Sequence, residues 1–224
     1  MKTFVVILVT FAILIADIEG DGMMLDPPGR SSRWRTNSSA LMNYNDNSYN
    51  CGGLSVSSCI NFSDGKCGLC GDDYSISPPR PNELGGFYGG EGIIVKTYKN
   101  SHTADIEVLI TVNHLGYIYF NLCNMDEFKK ESEECYCQNR LKFVDGSNRY
   151  FINASDGLIR TRVVWPKGLS CNHCILRWTY NTGNNWGICE NGKGAMGCGV
   201  QETFKSCLYW PYNWRVISVS NTWM

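Results

Sequence analysis

The segment DIEVLITVNHLGYIYFNLC, Asp105 to Cys123, holds two apolar patterns on either side of a turn. Before the turn, Ile106, Val108, Ile110 and Val112 recur at every second position, the spacing of a strand with one buried face. After His114-Leu115-Gly116, a second run from Tyr117 to Cys123 is dense in aromatic and branched residues. The two read as paired consecutive strands. Working outward, Ile93 to Tyr98, Arg140 to Val144, Leu158 to Trp165, Cys174 to Tyr180 and Trp214 to Ser220 are further short candidates, most of them flanked by Gly, Asn, Asp or Pro. Helical periodicity is scarce and the 23 glycines punctuate the chain densely. The pattern is that of an all-β, antiparallel β-sandwich with long disulfide-tied loops. The segment from Asp26 to Asp73 lacks periodicity and reads as a loop-rich excursion with one or two short helices.

The first 20 residues carry one positive charge, Lys2, followed by an apolar run from Phe4 to Ala16 that is too short to span a bilayer. This is the pattern of a secretory signal peptide cut after Gly20. It leaves residues 21–224 as one secreted, monomeric domain, because no linker, repeat or low-complexity tract divides them. All 12 cysteines lie beyond the leader. An even number in an oxidising compartment reads as a disulfide framework, and favours bridges over zinc for Cys67-x-x-Cys70 and Cys171-x-x-Cys174. Sequons at Asn37, Asn61 and Asn153 predict a glycoprotein. With 20 basic and 21 acidic residues and no basic stripe, nucleic acid is excluded as a partner. The C-terminal stretch is broken by Pro211 and Arg215 and reads as a strand, so no membrane association is expected after the leader is removed.

Of the three histidines, His102, His114 and His173, only His114 lies where a strand ends, and it can project from the end of a sandwich. Tyr and Trp are available either for stacking on sugar rings or for the core.

The segments GMMLDPPGRSSRWR, NYNDNSYNCGG, GKCGLCGDDY, TVNHLGYIYFNLC and CILRWTYNTGNNWGICENGKGAMGCGVQETFKSC occur in this order. Together they resemble the animal-type lytic polysaccharide monooxygenases of auxiliary-activity family fifteen, also described as chitin-binding type-4 domains. The resemblance implies an immunoglobulin/fibronectin-III-like sandwich with a flat face for crystalline chitin or cellulose. It also implies one copper ion held by the N-terminal amine, the first residue's imidazole and a second histidine. His114 matches that second histidine. Phe204 matches the axial Tyr or Phe, and Ala195 the small residue beside the open face of the copper.

The sequence departs from the family at its start, where Asp21 stands in place of the first histidine. The earliest histidine in the chain is His102, so no leader cleavage can produce an N-terminal imidazole. Val200 replaces a frequent proline. LYWPYNW follows where an acidic strand is usual, and it offers Tyr209, Trp210, Tyr212 and Trp214 either to a flat ligand or partner, or to the core.

An amine and carboxylate from Asp21 with the imidazole of His114 would form an N,O,N set suited to Cu(II) or Zn(II). Cu(I) prefers imidazole or sulfur, so the exchange disfavours the reduced ion. The expected function is a secreted polysaccharide-binding protein, for chitin more than cellulose, with an altered metal site and weak or no oxidation. The alternative is a copper-dependent monooxygenase cleaving chitin or cellulose through Asp21 and His114. A metal carrier or protein-interaction module, and a decayed site without metal, are the remaining readings.

Overall fold

The computed structural model describes residues 21–54, 66–90, 92–96, 98–99 and 101–213. The leader, the sequon at Asn61 and the strand expected over Trp214 to Ser220 lie outside them. In chain order the strands are β1 Asp21–Asp26, β2 Tyr98–Lys99, β3 Thr103–Val112, β4 Tyr117–Asn124, β5 Asn139–Arg140, β6 Lys142–Phe143 and β7 Tyr150–Phe151. They continue with β8 Leu158–Val164, β9 Cys174–Asn181, β10 Trp186–Ile188, β11 Gly194–Met196, β12 Thr203–Tyr209 and β13 Tyr212–Asn213. Two short helices, α1 Met125–Phe128 and α2 Glu133–Gln138, follow β4.

The strands form an immunoglobulin-like antiparallel sandwich of two main sheets, ordered β1-β3-β8-β6 and β12-β9-β4-β5, with β7 also pairing β4. Ile106, Val108, Ile110, Ile159 and Val163 of the first sheet meet Phe120, Leu122, Leu176, Trp178, Tyr180, Phe204 and Leu208 of the second in one core. Burial alternates along β3 but is almost unbroken along β4, β9 and β12. The first sheet therefore has one wet face, while the second is covered on both.

The two halves of the opening segment are not paired with each other. β3 lies between β1 and β8, and β4 between β9 and β5, so the turn at His114 carries the chain from one sheet to the other. Alternation reports which side of a strand is buried, and is silent about its neighbour. A second crossing corrects the strand expected over Arg140 to Val144. Buried Leu141 donates its N–H to Phe120 O at 3.0 Å, and β5 on one side of it pairs β4 while β6 on the other pairs β8. The strand expected over Ile93 to Tyr98 reduces to a bridge between Ile94 and Tyr209 and the two-residue β2. Among its described residues the loop-rich excursion holds one short 3-10 turn, Arg33–Arg35.

Disulfides join Cys51 to Cys67, Cys70 to Cys207, Cys123 to Cys135, Cys171 to Cys174 and Cys189 to Cys198, and Cys137 is also bridged. Tyr209 and Trp210 are buried, the latter 4.8 Å from the Trp165 ring, so these two are core and not a ligand surface. The contact roles considered for Tyr212 and Trp214 fall outside the described side chains.

Candidate metal centre

The crossover from β3 to β4 is built by Asn113 and two residues in the left-handed region. Asn113 Oδ1 accepts the Leu115 N–H at 2.8 Å, while its Nδ2 donates to Asn153 O at 2.8 Å and Asp156 O at 2.9 Å. Leu115 has φ 56° and Gly116 φ 81°. A Cβ on Gly116 would lie 2.1 Å from Asn181 O, so only glycine fits there.

The turn holds His114 half-buried at the sandwich's end, fixed at three points. Its N–H donates to Tyr180 Oη at 3.0 Å, its carbonyl accepts the Gly183 N–H at 2.9 Å, and ring Nδ1 lies 2.9 Å from Asn184 Nδ2. Among the described residues Nε2 has no protein partner. Tyr180 is buried, and desolvation, aided by Glu202 and opposed by the bond from His114, pushes its phenol up to about 12. It therefore stays neutral across the physiological range. Its ring stacks on fully buried Phe204, centroids 5.8 Å apart.

The loop that meets His114 is itself clamped. Asn185 donates its N–H to Gln201 Oε1 at 3.0 Å, and its carbonyl accepts from Gln201 Nε2 at 3.0 Å and from the Gly197 N–H at 2.8 Å. From this loop springs the β10–β11 hairpin, closed by Cys189–Cys198, with exposed Ala195 opposite Gly187. Trp186, 66% exposed, shares a face with Ile188 and Met196.

At backbone level β1 brings position 21 opposite Val112, two residues before His114. The next residue, Gly22, donates its N–H to Asn47 O at 2.9 Å, and a Cβ there would come within 2.9 Å of Trp178. The carboxylate of Asp21 is outside the described atoms. Of the residues singled out in the sequence, His114 and Phe204 are thus joined through Tyr180, and Ala195 is tied to His114 through the loop of Asn184. The other histidines are elsewhere. His102 precedes β3 at its far end, and His173 bonds Asp126 at 2.7 Å beside α1. Cys70, Glu131 and Cys207 also place ligand-type atoms within 4.8 Å of one another, but the two sulfurs are bonded to each other and offer no thiolate. Sequence reasoning missed Tyr180, Asn184 and Gln201. The one available signal was the density of amides in NTGNN directly after a strand.

Residues 22–209 match a family described as "Lytic polysaccharide mono-oxygenase, cellulose-degrading". The chain belongs to this family. Among solved structures it is similar to "Lytic Polysaccharide Monooxygenase AA15 from Thermobia domestica in the Cu(I) State", at 38% identity and a TM-score of 0.76. The likeness covers 87% of this chain and 100% of that one. No curated protein matches. Within the lytic polysaccharide mono-oxygenases, a polysaccharide-active fold is therefore the frame for the contacts around His114. No helix among the described residues is long and apolar enough to cross a membrane.

Proposed function

We propose that the protein is a secreted, monomeric polysaccharide-binding member of the family, with chitin as its first candidate polymer and cellulose as the second, an altered metal site and weak or no oxidative activity. The leader is removed after Gly20, and Asp21 then contributes its amine and carboxylate beside the imidazole of His114. The carrying observation is the strand register that seats position 21 opposite Val112, next to His114, in a chain whose other histidines are distant.

The donor set fits a metal of borderline softness. The His114 imidazole has one nitrogen held by an amide and the other without a protein partner among the described residues, and a neutral imidazole whose outward nitrogen carries the lone pair is the form in which histidine ligates metals. Copper, when bound, supplies the one-electron chemistry by which the family oxidises polysaccharide. Asp21 sets an anionic oxygen where the family has an imidazole, which favours Cu(II) over Cu(I) and makes reduction harder. Phe204 closes the buried side without donating to the metal. Trp186, with Ile188 and Met196, offers an exposed uncharged surface suited to sugar rings. Exposed Asn153 and Asn37 carry N-glycans.

The test compares the copper-loaded mature protein with Asp21→His on insoluble chitin and cellulose in the presence of a reductant. The expected result is retention on chitin, with oxidised oligosaccharides released about a hundredfold more slowly than by D21H, equivalent to about 3 kcal/mol of transition-state stabilisation. Equal rates would overturn the altered-site reading, and failure to bind either polymer would overturn the binding role.

A second reading, a working copper monooxygenase through Asp21 and His114, is favoured by the completeness of the surroundings of His114: Tyr180, Phe204 and Asn184 are all in place. Its mark is rapid oxidation together with imidazole hyperfine coupling that disappears in His114→Ala.

A further inference from the structure

We propose that Asn184 is the positioning residue that decides which nitrogen of His114 meets a metal. The inference rests on His114 being a ligand, and it concerns the atom and the tautomer that do the ligating.

His114 and Asn184 are held together by more than their own bond. Gly183 donates its N–H to the His114 carbonyl at 2.9 Å, and the next residue bonds the ring, so consecutive residues of one loop grip the backbone and the side chain of the same histidine. Gln201 pins the following residue, Asn185, through both its N–H and its carbonyl. A Cβ on Gly183 would come within 2.9 Å of Gly116 N, so the loop lies directly against the crossover. This geometry keeps the Asn184 amide on Nδ1, which leaves Nε2 as the nitrogen open to a metal.

A neutral imidazole carries one N–H. With an amide N–H donating to Nδ1, the ring proton would sit on Nε2 and no lone pair would be offered outward. With the amide turned so that Oδ1 faces the ring, Nδ1 carries the proton and Nε2 presents its lone pair. Asn184 is exposed and its Oδ1 has no partner among the described residues, so the turn breaks no other bond. The amide is thus a neutral, two-way partner that tolerates both tautomers and commits to the ligating one when a metal arrives. A carboxylate could only accept, and a leucine could do neither.

The test reads imidazole nitrogen resonances in the 15N-labelled mature protein, where three histidines are assignable with the help of His114→Ala. In the metal-free state the wild type is expected to populate both tautomers, and Asn184→Asp to hold the Nδ1–H tautomer. On addition of zinc, a diamagnetic probe, Nε2 should become the coordinated nitrogen in both, with Nδ1 protonated. Asn184→Leu should weaken zinc binding about tenfold or more, and Asn184→Asp should retain it. Zinc on Nδ1, or zinc binding by Asn184→Leu as tight as by the wild type, would overturn the proposal while leaving His114 a ligand. Zinc binding unaffected by His114→Ala would instead overturn the metal site on which it rests.

Discussion

On the outer face of the β1-β3-β8-β6 sheet, Arg162 reaches across to Asp105 at 2.6 Å and Arg160 to Glu107 at 2.7 Å, directly opposite in register and open to solvent. On the outer face of the other sheet Arg177 and Lys205 share Glu133 of α2, at 2.8 Å and 2.9 Å, with both cationic side chains only 1% exposed. The groups are of the same kind, but their surroundings differ. The first set is a solvated ladder. The second sits beneath α2 and the loop from Leu69 to Leu84, where Arg30 also pairs with Glu131 at 3.0 Å and the Arg177 guanidinium lies 4.0 Å from the centre of the Tyr136 ring. Water screens the ladder, so its pairs add little; removing one partner of the buried set leaves buried charge without its directly bonded counter-ion.

The largest effect that tests this contrast is therefore expected at Glu133. Burial alone would raise its carboxyl, but Arg177 and Lys205 hold it down to about 2. Lys205, chiefly through burial, falls to about 8. Glu133→Gln should cost about 3–5 kcal/mol in urea unfolding, since Arg177 and Lys205 remain buried without their anion. A carboxylate with a depressed folded pKa contributes stability that is present above its unfolded value and lost on acidification. The wild type should thus lose this contribution as the pH falls from the ordinary glutamate range toward 2, and the acid limb should be shallower in E133Q. A cost below about 1 kcal/mol would mean that the buried set is no better than the ladder.

The same contrast explains what was legible in the sequence. β3 could be read by alternation because one face of its sheet is wet. β12 was not among the expected strands, since TFKSCLY mixes Phe, Lys and Cys without a period; its inner face carries Phe204 and Leu208, and its outer face carries Lys205 and Cys207 into a second buried layer. Helix α2 went unread for a related reason: it is short, capped by the Ser132 hydroxyl accepting the Cys135 N–H at 3.3 Å, and held by a bridge and an ion network rather than by an apolar stripe. At the site, His114 was visible because histidine is rare and because of its place at a strand end. Tyr180 and Asn184 were not, because a phenol and an amide become informative only when the fold brings them onto a backbone N–H and a ring nitrogen.

The next largest effect lies where the chain passes between the two sheets. Gly116→Ala must accept φ 81° and a Cβ directed at Asn181 O, backbone that cannot yield as a flexible side chain would. About 2–3 kcal/mol of destabilisation is expected, together with weaker metal binding as His114 shifts. Gly146 is the control: it has φ 86° but nothing within 4 Å of its Cβ, so Gly146→Ala should show the conformational cost alone, about 1 kcal/mol. Equal costs at the two glycines would show that the close approach of the sheets at the crossover imposes nothing.

The smallest effect is the one expected on the solvated ladder. Glu107→Gln removes the partner of Arg160, whose side chain is 69% exposed and is solvated with or without its anion. The expected change in unfolding free energy is about 0.5 kcal/mol or less, shrinking further in concentrated salt. Because β3 and β8 pair through their backbones and bury Ile106, Val108, Ile159 and Val163 on the opposite face, register does not depend on the ion pair. Binding to chitin should be unchanged, since Glu107 lies mid-strand and away from His114. A cost at Glu107 approaching that at Glu133 would show that pairing itself, and not its burial, sets the scale of the electrostatic contribution in this sandwich.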